Sequence, residues 1–146
     1  MDVRSKVYHY QTTVRWTDHR KGVMSCQDKP DVEVATPPEF KGHDGIWSPE
    51  DLFVASANVC LMTTFLAVAE RAGLAFSAYE SEAEGRLEVV EGKFQFTAIT
   101  IKPTITVDSD DDVEKAKELI EKAEANCLIS NSMKAIVTLV PVIHAV

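Results

Sequence analysis

With 146 residues, of which 45% are hydrophobic and 26% charged, the chain has the size and make-up of a single globular domain spanning 1–146. A net charge of -8 and a pI near 4.9 set its surface against phosphate backbones, so nucleic acid is not an expected partner. Three irregularly spaced cysteines and four scattered histidines suit neither a disulfide framework nor a metal site, and no metal or bound cofactor is expected.

The opening stretch, MDVRSKVYHYQTTVRW, has no apolar h-region, so no secretory signal is read and a cytoplasmic location is expected. From Lys6 to Trp16 the mixture of aromatic, β-branched and polar residues predicts a strand. Asp18 to Gly22 reads as a turn, Val23–Gln27 and Asp31–Ala35 as short strands. Thr36 to Trp47 holds two prolines and two glycines and reads as a loop.

A helix start follows: Ser48 as N-cap, Pro49 at the first helical position, and Asp51 completing a capping box. Gly73 is the natural stop. Leu52 to Ala69 carries no charged residue, long enough to raise the question of a membrane span. Its Ala, Ser, Asn and Thr content favours a central buried helix instead, and no membrane association is expected. A chain this small cannot easily enclose about six or seven turns of all-round apolar helix, so a partner subunit is expected to supply cover.

Phe76–Val90 and Lys93–Val107 read as long strands joined by a hairpin at Glu91-Gly92. A second helix opens at Ser109, with Asp110, Asp111 and Asp112 where the helix dipole favours negative charge. Val113, Ala116, Ile120, Ala123 and Cys127 fall on one helical stripe. Ile136 to Ile143 closes the chain as a strand. The order strands, helix, hairpin, helix, strand defines an α+β fold without Rossmann alternation.

Cys60 lies within the buried helix and Cys127 on the apolar stripe of the second. Free cysteines commonly fill core space as small hydrophobes. Two of them on the inward faces of the two main helices could instead meet. A reactive cysteine must be a thiolate, and Cys60 is too deep in its helix for the dipole to help, so a cation is expected beside it. Arginine suits the task, held by a carboxylate such as Glu50. Yet in an unbroken helix Glu50 precedes Cys60 by about 15 Å of rise. Either the helix breaks near Ser56-Ala57-Asn58, or Glu50 is simply a first-turn acid favoured by the dipole.

The segment SPEDLFVASANVCLMTTF, Ser48 to Phe65, resembles the organic hydroperoxide resistance (Ohr)/OsmC family, with a Pro-Glu pair and a cysteine ten positions after the glutamate. CLISNSMKA, Cys127 to Ala135, resembles the family's second cysteine motif, usually Cys-Pro-x-Ser. The order of elements also matches over almost the whole chain. The resemblance implies an OsmC-like intertwined homodimer with two sites at its interface. It implies Cys60 as peroxidatic and Cys127 as resolving cysteine, with Glu50 holding an arginine against the thiolate. TDHRKG, Thr17 to Gly22, resembles the arginine-bearing turn of the Ohr branch and nominates Arg20, with Arg15 as runner-up. Near Pro38, Glu39 and Phe40, where the OsmC branch places its arginine, this chain has none. Leu128 stands where most members have proline.

The function so implied is thiol-dependent reduction of organic hydroperoxides to alcohols through a sulfenate and a Cys60–Cys127 disulfide, with an external dithiol reductant for which the family suggests a lipoyl group or a lipoylated protein. The competing reading is a non-enzymatic redox sensor or small-molecule-binding protein of the same fold. Cys26 has no partner motif and reads as a strand residue. Trp47, Phe53 and Phe65 could line an apolar pocket, although core packing suits the phenylalanines better.

Overall fold

The computed structural model describes residues 6–146. Two compact units emerge, one ending at Leu52 and the other spanning Phe53–Val146.

The first unit is built on an antiparallel sheet of β1 (Thr13–Asp18), β2 (Lys21–Ser25) and β3 (Val32–Ala35) in that order. β1 begins seven residues later than the sequence predicts, because its ladder to β2 starts at Thr13↔Ser25 and the chain beyond Ser25 turns away. Residues 6–12 therefore have no strand to pair with. The turn at its other end is also tighter than expected: His19 takes φ 46 and β2 starts at Lys21. Gly22 is required here, since a Cβ on it would stand 2.7 Å from the Arg15 carbonyl oxygen on β1. Cys26 falls in the turn after β2, outside the strand predicted for it. The Thr36–Trp47 loop is pinned by a parallel bridge between Val34 and Trp47 and contains one 3-10 turn, Pro38–Phe40.

α1 runs from Pro49 to Ala72 as a continuous helix. Its capping box is reciprocal: Asp51 N donates to Ser48 Oγ (3.1 Å) and Ser48 N to Asp51 Oδ2 (3.0 Å). At the other end Gly73 adopts φ 68, and Leu74 N returns to Ala69 O at 3.0 Å. The break considered near Ser56-Ala57-Asn58 does not occur. Ser56 Oγ donates to its own helix at Phe53 O (2.6 Å), and Asn58 spends its amide on Ser81 of the neighbouring strand.

In the second unit β4 (Phe76–Val90) and β5 (Lys93–Val107) form the long hairpin, closed by Glu91 and Gly92 at positive φ. β6 (Ile136–Leu139) and β7 (Val142–Ala145) both run parallel to β5, pairing with 98–101 and 104–107. The sequence reads one strand here; Pro141 lacks an N–H, so the ladder is interrupted and resumes two residues on. α2 spans Val113–Ala125, after a 3-10 turn of Asp110–Asp112 capped by Ser109 Oγ.

The core follows from two periodicities. Ile99, Ile101, Ile105 and Val107 alternate inward from β5, while Leu61, Phe65 and Ala69 of α1 and Ala116, Ile120 and Ala123 of α2 face them at helical spacing. Each of the larger side chains contributes about 1.5–3 kcal/mol by leaving water. α1 is long and apolar enough to cross a membrane, yet only 33% of its most apolar window is buried in this chain. Val59 and Leu66 stand 54% and 41% exposed on it.

Candidate functional site

α2 ends at Ala125, two residues before the predicted stripe does. Asn126 caps it, with its N–H on the Lys122 and Ala123 carbonyls and its side-chain amide on Lys122 O at 2.9 Å. Cys127 thus lies beyond the helix, in a run of tight turns, and not on its face. Cys127 N donates to Glu124 O, Asn131 N to Cys127 O, and Ser132 Oγ to Leu128 O at 2.7 Å. The N–H groups of Leu128 and Ile129, in this run of turns, help to lower the Cys60 pKa.

Cys60 projects from α1 into this turn and is 8% exposed; Cys127 is fully buried. Both are free thiols, and each shifts the other's pKa. Thr64, one helical turn on from Cys60, adds its hydroxyl at 3.8 Å. Burial alone would push the Cys60 thiol up. Donation from the Cys127 thiol, Ile129 N–H, Thr64 hydroxyl and Leu128 N–H outweighs it and holds Cys60 below the ordinary thiol value. Cys127 moves the other way. Burial and its bond to Cys60 raise its pKa, against the opposing pull of the Ser130 hydroxyl and N–H. The pair is therefore polarised, Cys60 pulled toward the thiolate and Cys127 toward the thiol.

The sequence expects a cation beside Cys60; within the second unit the observed activators are a thiol, a hydroxyl and two backbone amides. Arg20 sits in the first unit, exposed at the β1–β2 turn, where its Nη1 donates to Phe40 O at 3.1 Å. With Val14, Trp16, Val34 and Pro49 it lines a cavity of about 470 Å³. Arg15, the runner-up, lies on β1 opposite Val23. Glu50 lies in the first turn of α1 with Oε1 buried and without a hydrogen-bond partner, so it makes no ion pair with Arg20. The cavity beside it, about 440 Å³, is bounded by Pro37, Pro38, His43 and Trp47. Phe65 is a fully buried core residue, and Phe53 stacks on Phe96 at 4.8 Å; Trp47 lines that cavity.

Sequence reasoning passes over Glu124, Ser130 and Tyr79. All three carry buried polar atoms with no completed hydrogen bond among the described residues: Glu124 Oε2, Ser130 Oγ and Tyr79 OH. A glutamate in the last turn of a helix, against the dipole, is the signal that could have found the first of them.

The fold and a paired-thiol site define the class, and the comparisons agree. Residues 42–140 match the OsmC-like protein family model. The chain belongs to the OsmC-like family. It is 28% identical over 136 residues to the uncharacterized protein YmaD of Bacillus subtilis, covering 90% of this chain and 91% of that one. It is 29% identical over 100 residues to peroxiredoxin OsmC of Escherichia coli, 68% of each chain. Among solved structures, an OsmC-like protein of unknown function from Vibrio cholerae superposes with TM-score 0.85 at 19% identity, over 93% of this chain and all of that one (100%). An organic hydroperoxide resistance protein from Elizabethkingia anophelis gives 0.76 at 22% identity, over 97% and 99%.

Proposed function

We propose that this protein is a thiol-dependent peroxidase that reduces organic hydroperoxides to alcohols. The observation that carries this reading is the polarised thiol pair: two buried free thiols, each acting on the other, with Cys60 pulled toward thiolate and Cys127 toward thiol. The Cys60 thiolate attacks the terminal peroxide oxygen; the O–O bond breaks, the alkoxide leaves as alcohol after gaining a proton, and Cys60 becomes a sulfenic acid. Cys127 then displaces hydroxide, which leaves as water, and the disulfide forms. An external dithiol, with a lipoyl group as the candidate, reduces it by exchange.

Glu50 and Arg20 enter as the carboxylate and guanidinium expected from the family resemblance. The buried Glu50 Oε1, without a hydrogen-bond partner among the described residues, supports a donor such as a guanidinium at that position, since a buried polar oxygen needs one. The partly uncovered apolar faces of α1 support a homodimer. A cytoplasmic location goes with this reading, since that compartment returns thiols to the reduced form between cycles. Peptide mapping after one equivalent of an alkyl hydroperoxide tests the reading: a Cys60–Cys127 disulfide is expected, and an unmodified chain would refute it. A redox sensor of the same fold would form that disulfide too, so turnover, taken up in the Discussion, separates them.

A further inference from the structure

The third cysteine takes no part in the cycle above. Cys26 is only half-buried, whereas free cysteines are usually enclosed as small hydrophobes. It opens the turn between β2 and β3. Lys29 N donates to Cys26 O at 3.1 Å and Asp28 takes φ 64, so the chain doubles back and stands the Lys29 side chain over the sulfur. Lys29 Nζ donates to Cys26 Sγ at 3.4 Å, and the thiol donates in turn to Gln11 O at 3.5 Å. Among the described residues Lys29 makes no ion pair, although the chain carries a net charge of -8. Its ammonium rests on sulfur and not on a carboxylate. A cavity of about 610 Å³, lined by His9, Tyr10, Thr13 and both members of the pair, gives small molecules access to them.

We infer that Cys26 and Lys29 form a reversible sulfur–nitrogen bridge driven by peroxide, a second redox site that uses neither Cys60 nor Cys127. Sγ and Nζ already stand at the separation of reacting atoms, about 3–3.5 Å, on one turn, so capture of an oxidised sulfur by the amine is intramolecular. The oxidant is an alkyl hydroperoxide. The Cys26 thiolate attacks its terminal oxygen; the S–O bond forms, the O–O bond breaks, and the alkoxide leaves as alcohol after gaining a proton. Lys29, having given one proton to solvent, attacks the sulfenic sulfur as the neutral amine. The S–N bond forms, the S–O bond breaks, and the departing hydroxide takes the proton shed by nitrogen and leaves as water. One peroxide is reduced and one thiol–amine pair oxidised. An external dithiol reverses the step: one thiolate attacks the sulfur, the amine leaves protonated, and the second thiolate opens the mixed disulfide to return Cys26. The bridge stops the sulfur short of sulfinic acid and staples the β2–β3 turn.

The test needs no peroxidase turnover. Trypsin spares the Lys29–Pro30 bond, so both residues fall on one peptide, Gly22 to Lys41. Full-length protein is treated with excess alkyl hydroperoxide without reductant. That peptide should become lighter by two hydrogen atoms, with fragment ions placing the loss between Cys26 and Lys29, and a dithiol should restore its mass. Lys29→Arg keeps the charge but offers a guanidinium that does not condense with the sulfenic acid. The bridge should vanish there, and sulfinic acid at Cys26 should rise by at least about tenfold. Cys60→Ser should still form the bridge, because the step uses neither thiol of the cycle; a bridge in a protein that turns over no peroxide would therefore leave this inference standing and refute the peroxidase reading alone. Equal sulfinic acid at Cys26 in wild type and Lys29→Arg would overturn the bridge, as would a Cys26 that peroxide leaves unmodified. A Cys26-to-Cys26 disulfide between two chains in its place would overturn it too.

Discussion

The Leu128 N–H is one of the groups that hold Cys60 below the ordinary thiol value, and it stands where the family's second motif usually carries proline, which has no N–H to give. The departure visible in the sequence is therefore the gain of a donor. Leu128→Pro should move the pH midpoint of Cys60 alkylation upward and slow it near neutrality by about 2- to 10-fold, the range for losing one hydrogen bond of about 0.5–1.5 kcal/mol. Leu128→Ala keeps the amide and should leave the profile in place, because the side chain itself is 67% exposed. An alkylation profile unmoved by proline would show that this amide does not act on the thiolate.

Arg20 is expected to supply a charge where the amides supply dipoles. Arg20→Met keeps much of the bulk and removes the guanidinium. Cys60 alkylation near neutral pH should slow by about tenfold or more, with the midpoint moving up. The fold should survive, since the bond lost to Phe40 O is an exposed one worth about 1 kcal/mol at most. Glu50→Gln should act in the same direction but more weakly. An unshifted Arg20→Met profile would pass the role to Arg15 or to the amides alone.

Much of this was legible in the sequence. The capping box at Ser48, the stop at Gly73 and the hairpin at Glu91-Gly92 are set by local chemistry, and all three stand where expected. What was not legible depends on partners distant in sequence. β1 could not be trimmed to Thr13 without knowing where β2 ends. Cys127 fits the stripe of α2 by spacing alone, yet Asn126 ends the helix first, and the amides of Leu128, Ile129 and Ser130 beyond it act on the two thiols. The expected cation at Cys60 rested on side chains because a sequence does not display where backbone N–H groups point.

The pH dependence of stability should report on Glu124. Its folded pKa is raised, chiefly by burial, so the neutral form is the one the fold favours. The stabilisation is complete below the unfolded carboxylate range, near about 4.3, and is lost as pH rises through the raised folded value. Glu124→Gln should lose this dependence and have a Tm at neutral pH equal to or above that of the wild type. A lower Tm would mean that the ionised carboxyl is stabilised by a partner.

Val59 is 54% exposed on α1 in the single chain. In a homodimer that covers this face, Val59→Asp would bury a charge. It should lower stability by on the order of 2 kcal/mol or more, and light scattering should find loss of the dimer mass. On a face open to water the same change would stay within about 0.5 kcal/mol. That outcome, with a monomeric wild type, would remove the dimer.

The claim that the polarised thiols turn over peroxide is tested most directly by steady-state consumption of an alkyl hydroperoxide with a lipoyl dithiol as reductant, set beside hydrogen peroxide. Wild type should complete many cycles and favour the alkyl substrate. Cys60→Ser should consume none, and Cys127→Ser should reduce one equivalent and stall at the sulfenic acid, open to overoxidation. A wild type that stops after one equivalent would make the protein a sensor, and turnover that survives Cys60→Ser would contradict the assignment of the two thiols.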